Sequence, residues 1–181
     1  VCNAMETMIV HNEIANKFLP LIISRLRQAK VEIRADEKTR NIVKDVKQAT
    51  EKDWSTEYND LVLSVKVVNT IDQAINHINK YGSKHTDAII TENKDAAHRF
   101  LNLVDSASVM WNASTRFADG FRYGKGAEVG ISTAKIHARG PVGLEGLVIY
   151  KYELIGKGHV VRDYAGKGAK KFKHKVIKRL F

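Results

Sequence analysis

Cysteine occurs once in the 181 residues, at position 2. A single thiol cannot close a disulfide within the chain, so the fold must rest on packing and hydrogen bonding. The thiol count fits a reducing compartment, most simply the cytoplasm. Long hydrophobic runs are also missing. The longest, Phe18 to Ile23, contains Pro20 and soon meets Arg25, far short of the roughly 18–20 apolar residues of a membrane helix. The first residue is Val1 rather than Met, and no cationic segment leading into an apolar stretch is found there. No internal repeat is visible. His77, Tyr81 and His85 recur at steps of four, but Gly82 interrupts the helical pattern and no second cysteine or carboxylate cluster joins them, so no metal is expected. Acidic residues are scarce, 20 against 30 Lys and Arg, for a net charge of +10. Seven of those cations and no acid lie between Gly166 and Leu180. This pattern fits a solvated basic tail. It leaves a basic RNA-binding or scaffold module as a second reading, but no zinc-finger spacing or RNA-type aromatic motif accompanies it, and nucleic acid is not an expected partner.

What the chain does have is alternation. Thr7–His11, TMIVH, reads as a short buried strand. Residues 12–30 carry apolar side chains at 14, 18, 21, 22 and 26, the spacing of one helix face, with Asn12 as the cap. VEIRA (31–35) alternates as a strand does, and TRNIVKDVKQA (39–49) reads as helix. Leu61–Val68 is a continuous apolar strand. TIDQAINHINKYG (70–82) begins on a threonine cap and closes on Gly82, where glycine commonly ends a helix in the left-handed region. HTDAIIT, KDAAHRFLNLV and ASVMWN then read as strand, helix and strand. This order predicts an α/β fold with a mostly parallel, helix-covered sheet. Seven of the twelve glycines fall between residues 112 and 146, an ordered loop region of the kind that carries function. LVIYKYELIG (147–156) alternates again and reads as an exposed or intermolecular strand. The expected divisions are a lobe over 1–121, a glycine-rich loop region over 122–146, the strand and its extension over 147–165, and the basic tail over 166–181.

Several residues could carry chemistry. Cys2 is followed by Asn3 and, after two more residues, by Glu6, a spacing like that of a capping box. A helical turn there would place Cys2 at its amino end, where free N–H groups favour a thiolate and could hold an oxyanion. An inert, buried cysteine is the other reading. Arg116 in NASTRF and Arg139 in HARGP sit in small-residue loops, placed either to grip a carboxylate or phosphate or to bond loop carbonyls. GKGAEVG (124–130) is glycine-rich but lacks the phosphate-loop pattern.

Taken together, three segments resemble the γ-glutamyl phosphate reductase family, a branch of the aldehyde dehydrogenase superfamily. They are VCNAMETMIVH (1–11), VNTIDQAINHINKYGSKHTDAII (68–90) and the run from Val104 to Leu147. Lys125 departs from the pattern, which has an apolar residue, commonly Leu, at that place. A two-domain synthase whose reductase half is homologous is similar too. The resemblance implies an aldehyde dehydrogenase-like catalytic lobe and an NADPH-dependent, cytoplasmic enzyme of proline biosynthesis. Its reaction is reduction of L-glutamyl 5-phosphate to L-glutamate 5-semialdehyde and phosphate through a thioester on Cys2. It places Glu57 on the nicotinamide ribose. It makes Ser114, Thr115 and Arg116 candidates for the substrate's α-carboxylate or phosphate, with Arg139 and Lys125 as weaker ones. It makes residues 147–156 an oligomerisation strand, hence a homo-oligomer. Family members carry an NADPH-binding lobe ahead of the cysteine, so this sequence is expected to be a C-terminal piece that opens at the nucleophile and is inactive alone. A different aldehyde dehydrogenase, oxidising a free aldehyde, is the alternative enzyme.

Overall fold

The structure, a computed structural model, describes residues 1–176. It divides into two compact units, residues 1–148 and, of the described residues, 149–176.

In the first unit, β1 (Thr7–His11), β2 (Glu32–Ala35), β3 (Lys47–Gln48) and β4 (Val62–Val68) form one parallel sheet in the order β1-β4-β2-β3. Thr7 lies opposite Ser64 and His11 opposite Val68. Strand β4 is flanked on both sides and covered by helices, which is why it reads as a mostly apolar run, interrupted by Ser64 and Lys66, instead of alternating. Leu63, Val65 and Val67 are all buried, and Ser64 is as well.

Helix α1 (Asn12–Gln28) packs on this sheet. Its cap is His11 rather than Asn12: the His11 Nδ1 accepts from the Glu13 N–H at 3.3 Å while Nε2–H donates to the Asn69 carbonyl at 2.8 Å. Its buried stripe is Ala15, Leu19 and Ile23, with Ile22 and Leu26 partly buried behind it. Ile14, Phe18 and Leu21, expected on the core side, are exposed. The apolar surface is wider than the buried one, and packing against β4 selects the rows one step along. Pro20 lies on the exposed side, where water can serve the carbonyl freed by its missing N–H.

The helix expected over 39–49 is only α2 (Glu37–Ile42). Asp36 caps it, one carboxylate oxygen accepting from the Thr39 N–H at 2.9 Å and the other from the Val67 N–H at 3.1 Å. The β-branched Val43 leaves the helix in an extended conformation, and Asp45 at φ 59 turns the chain into β3.

Two further helices cover a smaller cluster of Ile75, Phe100 and Val104. Helix α3 (Ile71–Tyr81) starts on Thr70, whose hydroxyl accepts from the Gln73 N–H at 3.2 Å, and α4 (Lys94–Leu103) starts on Asn93, which accepts from the Ala96 N–H at 3.0 Å. Gly82 does follow α3, but at φ −63, so no left-handed turn explains it. A side chain there would sit 2.7 Å from the Ile78 carbonyl oxygen, and that close approach demands glycine. Strands β5 (Thr86–Ile89) and β6 (Ser108–Trp111) pair in parallel, and β7 (Gly130–Ser132) and β8 (Gly140–Val142) pair antiparallel within the glycine-rich region. Among the described residues no helix is long and apolar enough to cross a membrane.

In the second unit the expected strand over 147–156 is not formed. Its ladder needs a neighbour, and no strand among the described residues pairs with it. Ile149, Tyr152, Leu154 and Ile155 are almost wholly exposed, Leu154 at 98%. Of the basic tail, Lys170 bonds Asp163 at 2.9 Å and Tyr164 stacks on Phe172. Residues 177–181 lie outside the described residues.

Candidate active site

Because β1 and β4 run in parallel, their amino ends share one edge. The chain that precedes β1 carries Cys2, and the chain that precedes β4 carries Glu57. Their link is direct: the Ser64 N–H donates to the Glu6 carbonyl at 2.9 Å.

No helix begins at Cys2. The Ala4 N–H donates to the Val1 carbonyl at 3.0 Å, which closes a single turn before the chain extends into β1. The helix dipole expected to act on the thiol is therefore not there. The inert, buried alternative is not there either, because Cys2 is exposed. What holds the turn is Asn3, only 7% exposed. Its Nδ2 donates to the Ala118 carbonyl at 2.9 Å, its carbonyl accepts from the Thr115 hydroxyl at 2.7 Å, and its Oδ1 accepts from the Arg116 guanidinium. A short 3-10 helix, Thr115–Phe117, supplies these groups, and the Ser114 hydroxyl caps it by accepting from the Arg116 N–H at 3.3 Å. The loop then returns across β6. The Tyr123 hydroxyl reaches Ser108 at 2.8 Å, and the Gly120 N–H donates to the Glu128 carboxylate at 3.0 Å. Gly120 has no room for a side chain: a Cβ there would lie 2.2 Å from the Ala127 carbonyl oxygen.

Three titratable groups line the same region. Burial pushes the Glu6 carboxyl up, and the negative charge of Glu57 adds to it. Glu57 is exposed, and among the described residues no hydrogen bond or ion pair engages its carboxylate. Burial pushes the His85 imidazole down against the opposing charges of Glu128, Glu57 and Asp87. Its Nδ1 lies 2.6 Å from the Thr86 hydroxyl, while its buried Nε2 has no partner among the described residues.

No protein-family model matches the chain. Individual proteins do. The chain is 62% identical to the γ-glutamyl phosphate reductase of Methanococcoides burtonii, over 98% of its own length and 40% of that protein's. It is 62% identical to the γ-glutamyl phosphate reductase of a Synechococcus species, over 96% of its own length and 38% of that protein's. The crystal structure of γ-glutamyl phosphate reductase from Thermotoga maritima matches with a TM-score of 0.86 at 53% identity, covering 88% of this chain and 39% of that one.

The chain belongs to the γ-glutamyl phosphate reductase family.

It spans about 40% of the length of the curated relatives it matches. Within this reductase segment the residues singled out from the sequence fall into two groups. Cys2, Ser114, Thr115 and Arg116 come together around Asn3. Arg139 is elsewhere: its Nη2 donates to the Asp105 carboxylate at 3.0 Å, which also takes Lys135 at 2.6 Å and Lys84 at 3.2 Å. Those three cations, Lys135 foremost, hold the Asp105 carboxyl well below the usual range. The guanidinium edge expected to grip substrate is thus already engaged. Lys125 is exposed in the glycine-rich loop. His77 and His85, aligned at a helical step in the sequence, are separated by the end of α3. His77 is buried against Trp54 and Tyr81, and among the described residues no group of three His, Cys, Asp or Glu could hold a metal. Asn3, Glu6 and Glu128 were not foreseen as site residues. Only the burial of Asn3 beside an exposed cysteine would have marked it, and burial is a property of the fold.

Proposed function

We propose that these residues form the nucleophile-bearing part of an NADPH-dependent, cytoplasmic enzyme of proline biosynthesis. It reduces L-glutamyl 5-phosphate to L-glutamate 5-semialdehyde and phosphate. The observation that carries this reading is an exposed cysteine on a turn tied by Asn3 to Thr115, Arg116 and Ala118, in a chain so similar to named reductases.

The Cys2 thiolate attacks the acyl carbonyl, and the Cys2 backbone N–H helps hold the oxyanion. Collapse breaks the carbon–oxygen bond to phosphate and leaves a thioester on Cys2. A thioester suits the next step because it accepts hydride readily and its sulfur still leaves well. When bound, NADPH supplies that hydride. The thiohemiacetal then expels the thiolate and frees the aldehyde. Glu57, an exposed carboxylate with no competing partner among the described residues, fits two ribose hydroxyls as their acceptor. Arg116 spends one nitrogen on Asn3 and keeps other N–H donors for the substrate's α-carboxylate or phosphate. Ser114 and Thr115 shape that corner. Residues 147–156, apolar and unpaired, extend the sheet of a second copy.

The test is to trap a full-length reductase carrying these residues with substrate and no reductant, then digest it for mass spectrometry. The acyl adduct is expected on Cys2. An adduct on any other side chain overturns the assignment. The 181-residue chain alone is expected to show no NADPH-dependent turnover.

A further inference from the structure

Among the described residues no hydrogen bond or ion pair engages the Glu57 carboxylate, yet an exposed carboxylate that meets a cofactor must be held in place. Its neighbour Tyr58 is held on two sides. The Tyr58 hydroxyl donates to the Asp53 carboxylate at 2.9 Å and lies 2.7 Å from the Ser64 hydroxyl. The Arg34 guanidinium lies over the ring, 5.1 Å from its centre, and itself donates to Asp53 at 2.6 Å and Glu32 at 2.8 Å. On the other flank, the Thr56 hydroxyl donates to the Lys52 carbonyl at 2.7 Å.

Asp53 does not need the phenol. Its other oxygen already accepts from the Thr50 N–H and hydroxyl, both at 2.6 Å, closing the 3-10 helix Glu51–Ser55. Burial pushes the Asp53 carboxyl up, but the bonds from Thr50, Arg34 and Tyr58 outweigh it and hold it well below the usual range. Ser64, fully buried, has the Asp53 carbonyl at 3.3 Å as a second acceptor. A phenylalanine would fill the same space under Arg34. What the hydroxyl adds is a fixed tether from the Glu57 segment to the strand whose Ser64 N–H meets Glu6.

We propose that Tyr58 is a positioning residue: its hydroxyl, held between Asp53 and Ser64, fixes the neighbouring Glu57 carboxylate for the cofactor without contributing to the reactivity of Cys2. This rests on Glu57 binding the nicotinamide ribose, and the preorganised carboxylate lowers the ordering cost of binding.

The experiment compares Tyr58→Phe, Glu57→Gln and the double variant in a full-length reductase carrying these residues. NADPH affinity is measured by isothermal titration without substrate, and Cys2 reactivity by the rate of iodoacetamide alkylation. Y58F is expected to weaken NADPH binding about three- to tenfold while the alkylation rate stays put. E57Q should weaken binding at least as much, and the double variant no more than E57Q alone. Ser64→Ala, which leaves the Tyr58–Asp53 bond in place, should give a smaller loss in the same direction. Unchanged NADPH affinity in Y58F, with E57Q impaired, overturns the positioning role and spares the Glu57 assignment. Losses that add in the double variant overturn it too, because Tyr58 would then act independently. No loss in E57Q itself overturns the Glu57 assignment and this inference with it.

Discussion

Replacing Asn3 by alanine should unfasten the turn that carries the cysteine. The side chain makes two bonds. The donation from Nδ2 to the Ala118 carbonyl at 2.9 Å is between neutral groups, a loss of about 1 kcal/mol. The bond from Arg116 to Oδ1 is charge-assisted, and because Arg116 is exposed its loss is near the low end for such bonds, about 1.5 kcal/mol. The third bond, from the Thr115 hydroxyl to the Asn3 backbone carbonyl, survives the substitution. Asn3→Ala should therefore cost about 2–3 kcal/mol, which in urea unfolding is a midpoint shift on the order of 1 M. Asn3→Asp keeps the acceptor for Arg116 but loses the donor to Ala118, and should cost about 1 kcal/mol. A double-mutant cycle of Asn3→Ala with Arg116→Ala should return a coupling of about 1 kcal/mol or more. A loss under about 0.5 kcal/mol with no coupling would refute the reasoning: the Cys2 turn would then be held by its backbone alone, and the clustering of Thr115 and Arg116 around it would be incidental.

Leu19→Ala, at a fully buried position of α1 against the parallel sheet, should cost about 3–4 kcal/mol in the same urea assay, whereas Leu21→Ala on the exposed side should cost well under 1 kcal/mol. Burial pushes His77 down to about 4 from 6.5, with Lys66 and Lys80 adding to the shift and Glu51 and Asp36 opposing it. A depressed histidine stabilises the fold while neutral, so its contribution is whole above the unfolded value of 6.5 and drains away as pH falls toward 4. Melting temperature should therefore drop between those pH values, and His77→Phe, which cannot titrate, should flatten the drop; an unaltered slope would mean that other groups set the acid limit.

How much of this was open to sequence reading depended on how local the cause was. Strand β1 falls on Thr7–His11 as read, because a run of β-branched and apolar residues closed by a helix start has few alternatives. The cap Thr70 acts within three residues of itself. Failures came where a distant partner decided. Which stripe of α1 is buried depends on β4, some 40 residues on, and both stripes are apolar. Val43 leaves the helix for a β3 pairing that residues 39–49 do not announce. Backbone freedom is what the sequence suggests for Gly82, but its real constraint is the space left by Ile78. At Cys2 the Asn3–Glu6 spacing imitates a capping box and admits a helical turn, with an inert cysteine as the other reading; Asn3 is instead committed to a loop more than 110 residues away. Clustering of Ser114, Thr115 and Arg116 with Cys2 was legible only through family resemblance.

Ligands of open α/β sheets usually sit beyond the carboxyl ends of the strands. Here the proposed chemistry sits at the amino ends of β1 and β4. The carboxyl ends are already occupied: His11 bonds Asn69, Lys38 bonds the Asn69 side chain at 3.0 Å, and Asp36 spends both carboxylate oxygens on Thr39 and Val67. At the amino ends the requirements differ. An acyl phosphate and the oxyanion formed from it are negative. Carboxylates would oppose such a substrate, and the two that are present are handled separately. Glu6 is half-buried, and burial, with the charge of Glu57 adding to it, pushes its carboxyl up. Glu57 is turned to solvent, where on the proposed reading it meets hydroxyls and not phosphate. Removing the Glu6 carboxylate lowers the negative charge that faces the proposed substrate. Glu6→Gln is therefore expected to leave acylation of Cys2 intact or faster, and a strong loss in the adduct-trapping assay would show that the Glu6 carboxylate takes part in the chemistry itself.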